Sequence, residues 1–524
     1  MLGFLSGTAS VAALSAWVLG ACGTDNGNAP LPSAMLDSGR PGPEGGDAAV
    51  VVPPGNVVPG AKDRMLLSGT IVTPETIVTG QILVEGTKIT CVEEGTGCAA
   101  KPGAAGATIV DTGGVIAPGL IDTHNHILYD IFDEDDWTPT QLYKNHTEWP
   151  NEDRYSKTLD VKQCLANDSQ GKPAWCASTP YGTSAGSLRC EMDKWGELKG
   201  LVAGTTSIVG LPGTSAACFG SLARSIDVSQ NGLGSDKVQA SALFPPSSAS
   251  TICSNFASKT TTAFLPHVGE GVDAKALAEW ATLEATAGGC LVAPQTAITH
   301  GTAFTAAEFA KMGAAGMKLT WSPQSNHFLY GNTTNVPLAL DAKLTVAIAP
   351  DWSLGGSQNM LDELRFANAW DDKNWGDRLK PKDLVTMGTL NGAKVLALDS
   401  LIGQIKVGQI ADLAVFAGDR GKPYEAILAA TPREVRLVMI GGTVLYGDKE
   451  LEAAAPAKPG CETIDICGKP KFLCVATEDP QNKLNQTYAT IKDALEKALK
   501  ESDALTPEDG YNFAPLAPLV KCPK

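Results

Sequence analysis

Val115-Ile-Ala-Pro-Gly-Leu-Ile-Asp-Thr-His-Asn-His126 is an apolar run that ends in two histidines spaced two apart. Side chains alternate across a β-strand, so His124 and His126 leave one face while Asn125 points away. Two imidazoles converging from one strand end make half of a site for a divalent metal. Pro118-Gly119 interrupts the run and opens a buried strand at Leu120-Ile121-Asp122-Thr123.

The chain around it has 524 residues, 43% hydrophobic and 19% charged. That is the balance of a globular protein with room for more than one domain and a large core. A net charge of −16 argues against nucleic acid as a partner, because phosphate binding needs a basic patch. Beyond residue 22 no run is long and apolar enough to span a bilayer. Residues 11–19 are a short apolar segment followed by Gly20-Ala21-Cys22, which reads as a secretory signal. Its ending resembles a bacterial lipoprotein signal, although residues 2–10 carry no Lys or Arg. The resemblance implies lipidation at Cys22 and an exported protein held at the cell envelope, with membrane contact through that anchor alone. Residues 23–60, rich in Gly, Pro, Asp and Ala, read as a flexible tether.

Cysteine usage agrees with export. Of 13 Cys, 12 remain once Cys22 is set aside, an even number suited to disulfides. Cys91 with Cys98 and Cys164 with Cys176 read as local loops; the other pairings stay open.

Residues 64–74, 81–92 and 107–111 are short β-branched or alternating runs that read as strands, and so do residues 403–416 and 435–446. Between them strands alternate with helices, the pattern of a parallel α/β barrel. The expected strands lie at 120–123, 204–210, 238–244, 262–267, 297–300, 317–321 and 344–350, with an eighth sought in 222–228. Helices are expected over 273–283, after the capping box Thr305-Ala-Ala-Glu308, and over 382–398. Residues 128–200, with Trp137, Trp149, Tyr155, Trp175, Tyr181 and three cysteines, are expected to form a disulfide-braced lid, since loops after barrel strands sit over the active site. Residues 451–524 form a Cys-rich extension with one amphipathic helix, its stripe set by Leu484, Tyr488, Ile491, Leu495 and Leu499.

Only six histidines occur. His124, His126, His267 and His300 fall at expected strand ends on the carboxyl side, where barrel sites are built, and Asp351 ends the last strand. Three neutral nitrogens and one carboxylate, with a position left for water, suit a catalytic metal.

The set resembles the amidohydrolase superfamily, in the branch of cytosine deaminase and the chlorohydrolases. The matching stretches are His124-Asn-His126, His267-Val-Gly-Glu270, Thr299-His300-Gly301, Trp321-Ser-Pro-Gln-Ser-Asn326, Asp351 followed by Asn359-Met-Leu-Asp-Glu-Leu364, and the return segment Gly403 to Phe416 with its Ala411-Asp412-Leu413. The resemblance covers about residues 61–450. It implies a TIM-like (β/α)8 barrel over 116–399, and a small composite β-sandwich built from 61–115 together with 400–450. It also implies His124, His126, His267 and Asp351 as ligands of one divalent metal. Zinc is the default for such ligands and iron fits them too. No Lys stands at an expected strand end between Gly204 and His267, which speaks against a carbamylated lysine bridging two metals.

The expected reaction is hydrolysis of a non-peptide carbon–nitrogen bond in a small molecule, either deamination or opening of a cyclic amide or amidine, by metal-activated water. Asp351 would take the water's proton, His300 would polarise the attacked group, and Glu270 would protonate the leaving nitrogen. His327, Asn326 and Trp137 are the expected substrate-binding residues, and His146 stands outside the set. Alternatives are a peptidase-like or imidazolonepropionase-like amidohydrolase, or a lipid-anchored binding protein without turnover. A homo-oligomer is compatible with the sequence.

Overall fold

The computed structural model describes residues 55–522, apart from residues 170, 211–217, 219–221, 228–232, 234–236, 243, 458–459, 477–484 and 506–509. The signal-like segment, Cys22, most of the tether and Leu484 lie outside the described residues.

Eight short parallel strands surround one axis: β1 (Leu120–Asp122), β2 (Thr205–Ile208), β3 (Arg224–Ser225), β4 (Val238–Ser241), β5 (Ala263–Val268), β6 (Ala297–His300), β7 (Lys318–Trp321) and β8 (Thr345–Ile348). β1 to β3 form one hydrogen-bonded arc and β4 to β8 the other. Asn125 bridges to Asp351 just beyond β1 and β8, which closes one seam. The missing eighth strand is β3, in the stretch where it was sought; with only two residues it has no alternating pattern to read. Helices cover the outside, so strand residues such as Ile298, Leu319, Val346 and Ile348 are fully buried and read as continuous apolar runs.

A ten-stranded sheet joins the two ends of the chain. Strand Ala107–Pro118 pairs with Leu413–Phe416, in the register Val115↔Phe416 to Pro118↔Leu413. It therefore runs to Pro118, past the expected end at 111, and gives way to β1 at Gly119. A Cβ on Gly119 would stand 2.2 Å from Thr206 Cγ2, so only glycine lets β1 enter beside β2.

Several expected elements are subdivided. Residues 81–92 lie in two strands, Ile77–Glu85 and Lys88–Glu94, because Gly86 turns the chain at φ +58°. Residues 435–446 fold back at Gly441-Gly442 into Val435–Ile440 and Thr443–Asp448. Of 403–416 only Leu413–Phe416 is strand. The helix expected over 382–398 breaks into Pro381–Met387 and Leu390–Val395. Between the two, the Gly388 carbonyl accepts the Ile121 N–H at 2.8 Å, so the helix opens to serve β1.

The insertion carries helices Asp153–Leu165 and Arg189–Val202 and the Cys164–Cys176 disulfide. Cys91–Cys98 also pairs as expected; the remaining bridges join Cys190 to Cys218, Cys253 to Cys290, Cys461 to Cys474 and Cys467 to Cys522. The C-terminal extension contributes a hairpin, Glu462–Ile466 with Lys469–Leu473, besides the expected helix Tyr488–Leu505. That helix buries Ile491, Leu495 and Leu499, and Tyr488 stacks on Trp195. No helix among the described residues is long and apolar enough to cross a membrane.

One ion pair fastens barrel to sheet. The Arg224 guanidinium of β3 meets Asp412 Oδ2, and Asp412 Oδ1 accepts the Gly441 N–H at 2.7 Å; both side chains are buried. Removing one partner leaves the other charge buried and unpaired. Asp412→Ala is expected to lower unfolding free energy by about 3–5 kcal/mol in urea titration, and Arg224→Met combined with Asp412→Leu to recover most of it.

Candidate metal centre

The end of β1 is fixed from three sides. Asp122 accepts the His124 N–H at 3.0 Å and the Asn125 amide at 2.9 Å, which sets a tight turn. The Asn125 N–H donates to Val209 at 2.8 Å, the His126 N–H to the Asp351 carbonyl at 2.6 Å, and the Asp351 N–H to the His124 carbonyl at 3.1 Å. His300 and Asp351 hold positive φ, +72° and +71°. Non-glycine residues adopt this backbone at a cost, and it concentrates at functional sites.

The four imidazoles meet at the carboxyl ends of β1, β5 and β6. The His124 ring centroid lies 5.1 Å from His126, 4.6 Å from His267 and 5.1 Å from His300. Asp351 Oδ1 lies 2.7 Å from His124 Nε2 and 3.4 Å from His126 Nε2. Ligand atoms of His124, His126 and His267 all lie within 4.8 Å of one another, and so do those of His124, His300 and Asp351.

Three of these atoms, His124 Nε2, His267 Nε2 and Asp351 Oδ1, are buried without a hydrogen-bond partner. Orphaned buried acceptors are costly unless something positive joins them. Burial pushes the imidazoles of His124 and His267 down to about 3 and that of His126 well below its ordinary range, so all three nitrogens are neutral. Neutral nitrogens converging on a carboxylate fit a divalent cation.

The neighbours sort ligands from donors. His267 Nδ1 donates to the Ser241 carbonyl at 2.9 Å, leaving Nε2 as a lone pair facing the cluster. His300 is reversed. The Asn326 amide donates to its Nδ1 at 3.0 Å, while Asn326 Oδ1 accepts the Thr333 and Thr334 hydroxyls at 3.4 and 3.3 Å. His300 Nε2 therefore carries the proton and acts as a donor. Ser325 donates to Asp351 Oδ2 at 2.5 Å, which turns Oδ1 toward the imidazoles.

Glu270 is buried at the same rim. Its Oε1 accepts the Tyr330 hydroxyl at 2.7 Å and its Oε2 lies 3.8 Å from His300 Nε2. Burial, with the Asp351 charge, pushes its carboxyl up to about 7, against the pull of His146 and Tyr330. A carboxyl in that range gains and loses a proton at neutral pH.

Thus His124, His126, His267, Asp351, His300 and Glu270 come together. The three expected substrate residues do not face the cluster. His327 packs on Phe366 and Trp370 of helix Met360–Asn374, with ring centroids 5.8 and 5.1 Å away. Asn326 serves His300 from the helix formed by residues 323–330. Trp137 is one ring removed: it lies 6.1 Å from Trp352, whose own ring lies 5.4 Å from His126. Ser325, Tyr330, Trp352 and His146 were missed. Asn326 and Tyr330 are spaced four apart after Ser322-Pro323, a helix start that places both on one face.

Residues 269–445 match the amidohydrolase family. The chain is 25% identical over 409 residues to a 5'-deoxyadenosine deaminase of Methanothermobacter thermautotrophicus, covering 71% of this chain and 90% of that protein. Its fold resembles the zinc-complexed atrazine chlorohydrolase of Arthrobacter aurescens (TM-score 0.55, 15% identity, 75% of this chain and 96% of that one). It also resembles a zinc-bound adenosine deaminase of Xanthomonas campestris (TM-score 0.50, 18% identity, 72% and 92%). The chain is a metal-dependent hydrolase of carbon–nitrogen bonds. In this hydrolase, Ser325→Ala should weaken metal affinity about 10–100-fold with the fold intact, measured by titration against a competing chelator.

Proposed function

We propose that this hydrolase is a deaminase of planar nitrogen heterocycles, with zinc as its ion. The observation that carries the reading is the pairing of a protonated His300 Nε2 with a buried Glu270, 3.8 Å apart, beside the metal cluster. Hydrolysis of an amine needs a donor for the attacked carbon's developing charge and a proton for the departing nitrogen. The pair supplies one of each. Aromatic walls agree with a flat substrate: Trp352 and Tyr129 stand 5.4 and 6.3 Å from the His126 ring. The deaminases among the similar proteins support the same direction.

His124, His126, His267 and Asp351 would hold the ion, which when bound lowers the pKa of a water toward about 7. Asp351, aimed by Ser325, accepts the water's proton. His300 Nε2–H donates to the group under attack and withdraws charge from the carbon. Glu270 delivers a proton from Oε2 to the leaving nitrogen, and the proton that Asp351 took from the water then passes to Glu270, which resets both carboxyls. Asn326 keeps His300 in the donor tautomer throughout. Two acids with separated duties are needed, and Tyr330 on one with Ser325 on the other keeps them apart.

Ammonia release from aminopurines, their nucleosides and aminotriazines by zinc-loaded protein tests the reading. Glu270→Gln is expected to keep one ion per chain by elemental analysis while kcat falls about 10²–10⁴-fold. His267→Ala is expected to lose ion and turnover together. Full turnover in Glu270→Gln would remove the carboxyl from the reaction.

We also propose export with a lipid anchor at Cys22. The six disulfides support an oxidising compartment. Cys22→Ser should move the protein from the membrane to the soluble fraction of the cell envelope.

A further inference from the structure

The two oxygens of Glu270 face different parts of the chain. Oε2 lies 3.8 Å from His300 Nε2 and 3.9 Å from His146 Nδ1 of the insertion, while Oε1 accepts the Tyr330 hydroxyl at 2.7 Å. That hydroxyl accepts the indole N–H of Trp149 at 3.0 Å. An indole N–H only donates, so the direction of the chain is set: Trp149 to Tyr330 to Glu270. Tyr330 ends helix Pro323–Tyr330, but Trp149 belongs to the insertion.

The insertion grips the Glu270 segment by its backbone too. The His146 N–H donates to the Glu270 carbonyl at 3.2 Å and the Val272 N–H to the Lys144 carbonyl at 2.7 Å. His146 Nε2 lies 2.7 Å from Glu279 Oε1, and Glu279 Oε2 accepts the Gly269 N–H at 2.7 Å. Residues 269–272 are thus held by the barrel on one side and by the insertion on the other.

We propose, resting on the reading of Glu270 as proton carrier, that Trp149 and Tyr330 are positioning residues that aim Glu270 Oε2 at His300. The seated insertion is then a component of the active site and not only its cover. A carboxyl rotated away from His300 would leave metal and substrate binding intact and slow proton delivery alone.

The test compares the parent with Trp149→Phe and Tyr330→Phe, each zinc-loaded, on the amine that gives most ammonia. The expected result is a kcat roughly tenfold lower with KM within about twofold and the ion retained. The solvent deuterium isotope effect on kcat should rise, because proton delivery becomes the slow step. Trp175→Phe, elsewhere in the insertion, should leave all four unchanged. An unaltered kcat, or a lower kcat with the same isotope effect, overturns the proposal, since partial misfolding lowers the active fraction without altering that effect.

A second measurement needs no substrate. The Glu270 carboxyl stretch, isolated as the infrared difference between the protein and its Glu270→Gln variant, should shift in Trp149→Phe. If no amine yields ammonia and the band still shifts, the deaminase reading fails and the positioning chain stands. If the band stays in place, the positioning chain fails whatever the turnover.

Discussion

Two buried polar atoms 2.7 Å apart, His124 Nε2 and Asp351 Oδ1, are the constraint on which the molecule turns. Each is buried without a hydrogen-bond partner, which is costly unless a positive charge joins it. A divalent cation held by both would turn that cost into attraction. Across the seam between β1 and β8 the Asp351 N–H donates to the His124 carbonyl, and the Asp351 carbonyl accepts the His126 N–H. Closing the barrel and assembling the ligands are therefore one event. The positive φ of Asp351 is the cost of turning its carboxylate inward at the seam.

Around that pair the fold spends one short helix on three jobs. Ser325, Asn326 and Tyr330 of Pro323–Tyr330 hold Asp351, His300 and Glu270 respectively. Each contact removes a rotation from a group that must be ready before substrate arrives, which is how preorganised sites gain rate. The helix itself is anchored from the insertion, where the Tyr143 N–H donates to the Leu329 carbonyl at 2.8 Å. Rigidity at the rim thus derives from packing outside it, through the insertion and the C-terminal segment. Lys521 from that segment reaches Asp133, Glu134 and Asp135 of the insertion.

Much of the fold was legible because its signals are local. The His-x-His strand end, the capping box at Thr305 with Glu308, the Cys91–Cys98 and Cys164–Cys176 loops and the amphipathic stripe of Tyr488–Leu505 all depend on neighbours a few residues apart. Boundaries were less legible. The helix over 382–398 reads as continuous, since nothing in its own sequence announces that Gly388 gives its carbonyl to Ile121. The two-residue strand β3 has no period at all, and its neighbours in space define it.

For the site, residue type and order along the chain were enough to nominate His124, His126, His267, His300 and Asp351, and the resemblance to the amidohydrolases added Glu270. The four histidines and Asp351 stand at or just beyond strand ends, and strand ends are marked by the pattern of apolar runs. The supporting contacts were beyond reach. Whether His327 or Asn326 meets the centre depends on helical phase at residues 323–330, and a rotation of about 100° per residue sends neighbours to different faces. His327 went to Phe366 and Trp370, and Asn326 to His300. His146 and Trp149 lie more than a hundred residues from Glu270 in the chain, so only the packed insertion could bring them to it. The sequence by itself determined which side chains are brought to the strand ends; the tertiary structure decided which way each one points, because orientation is set by contacts between segments that no local pattern records.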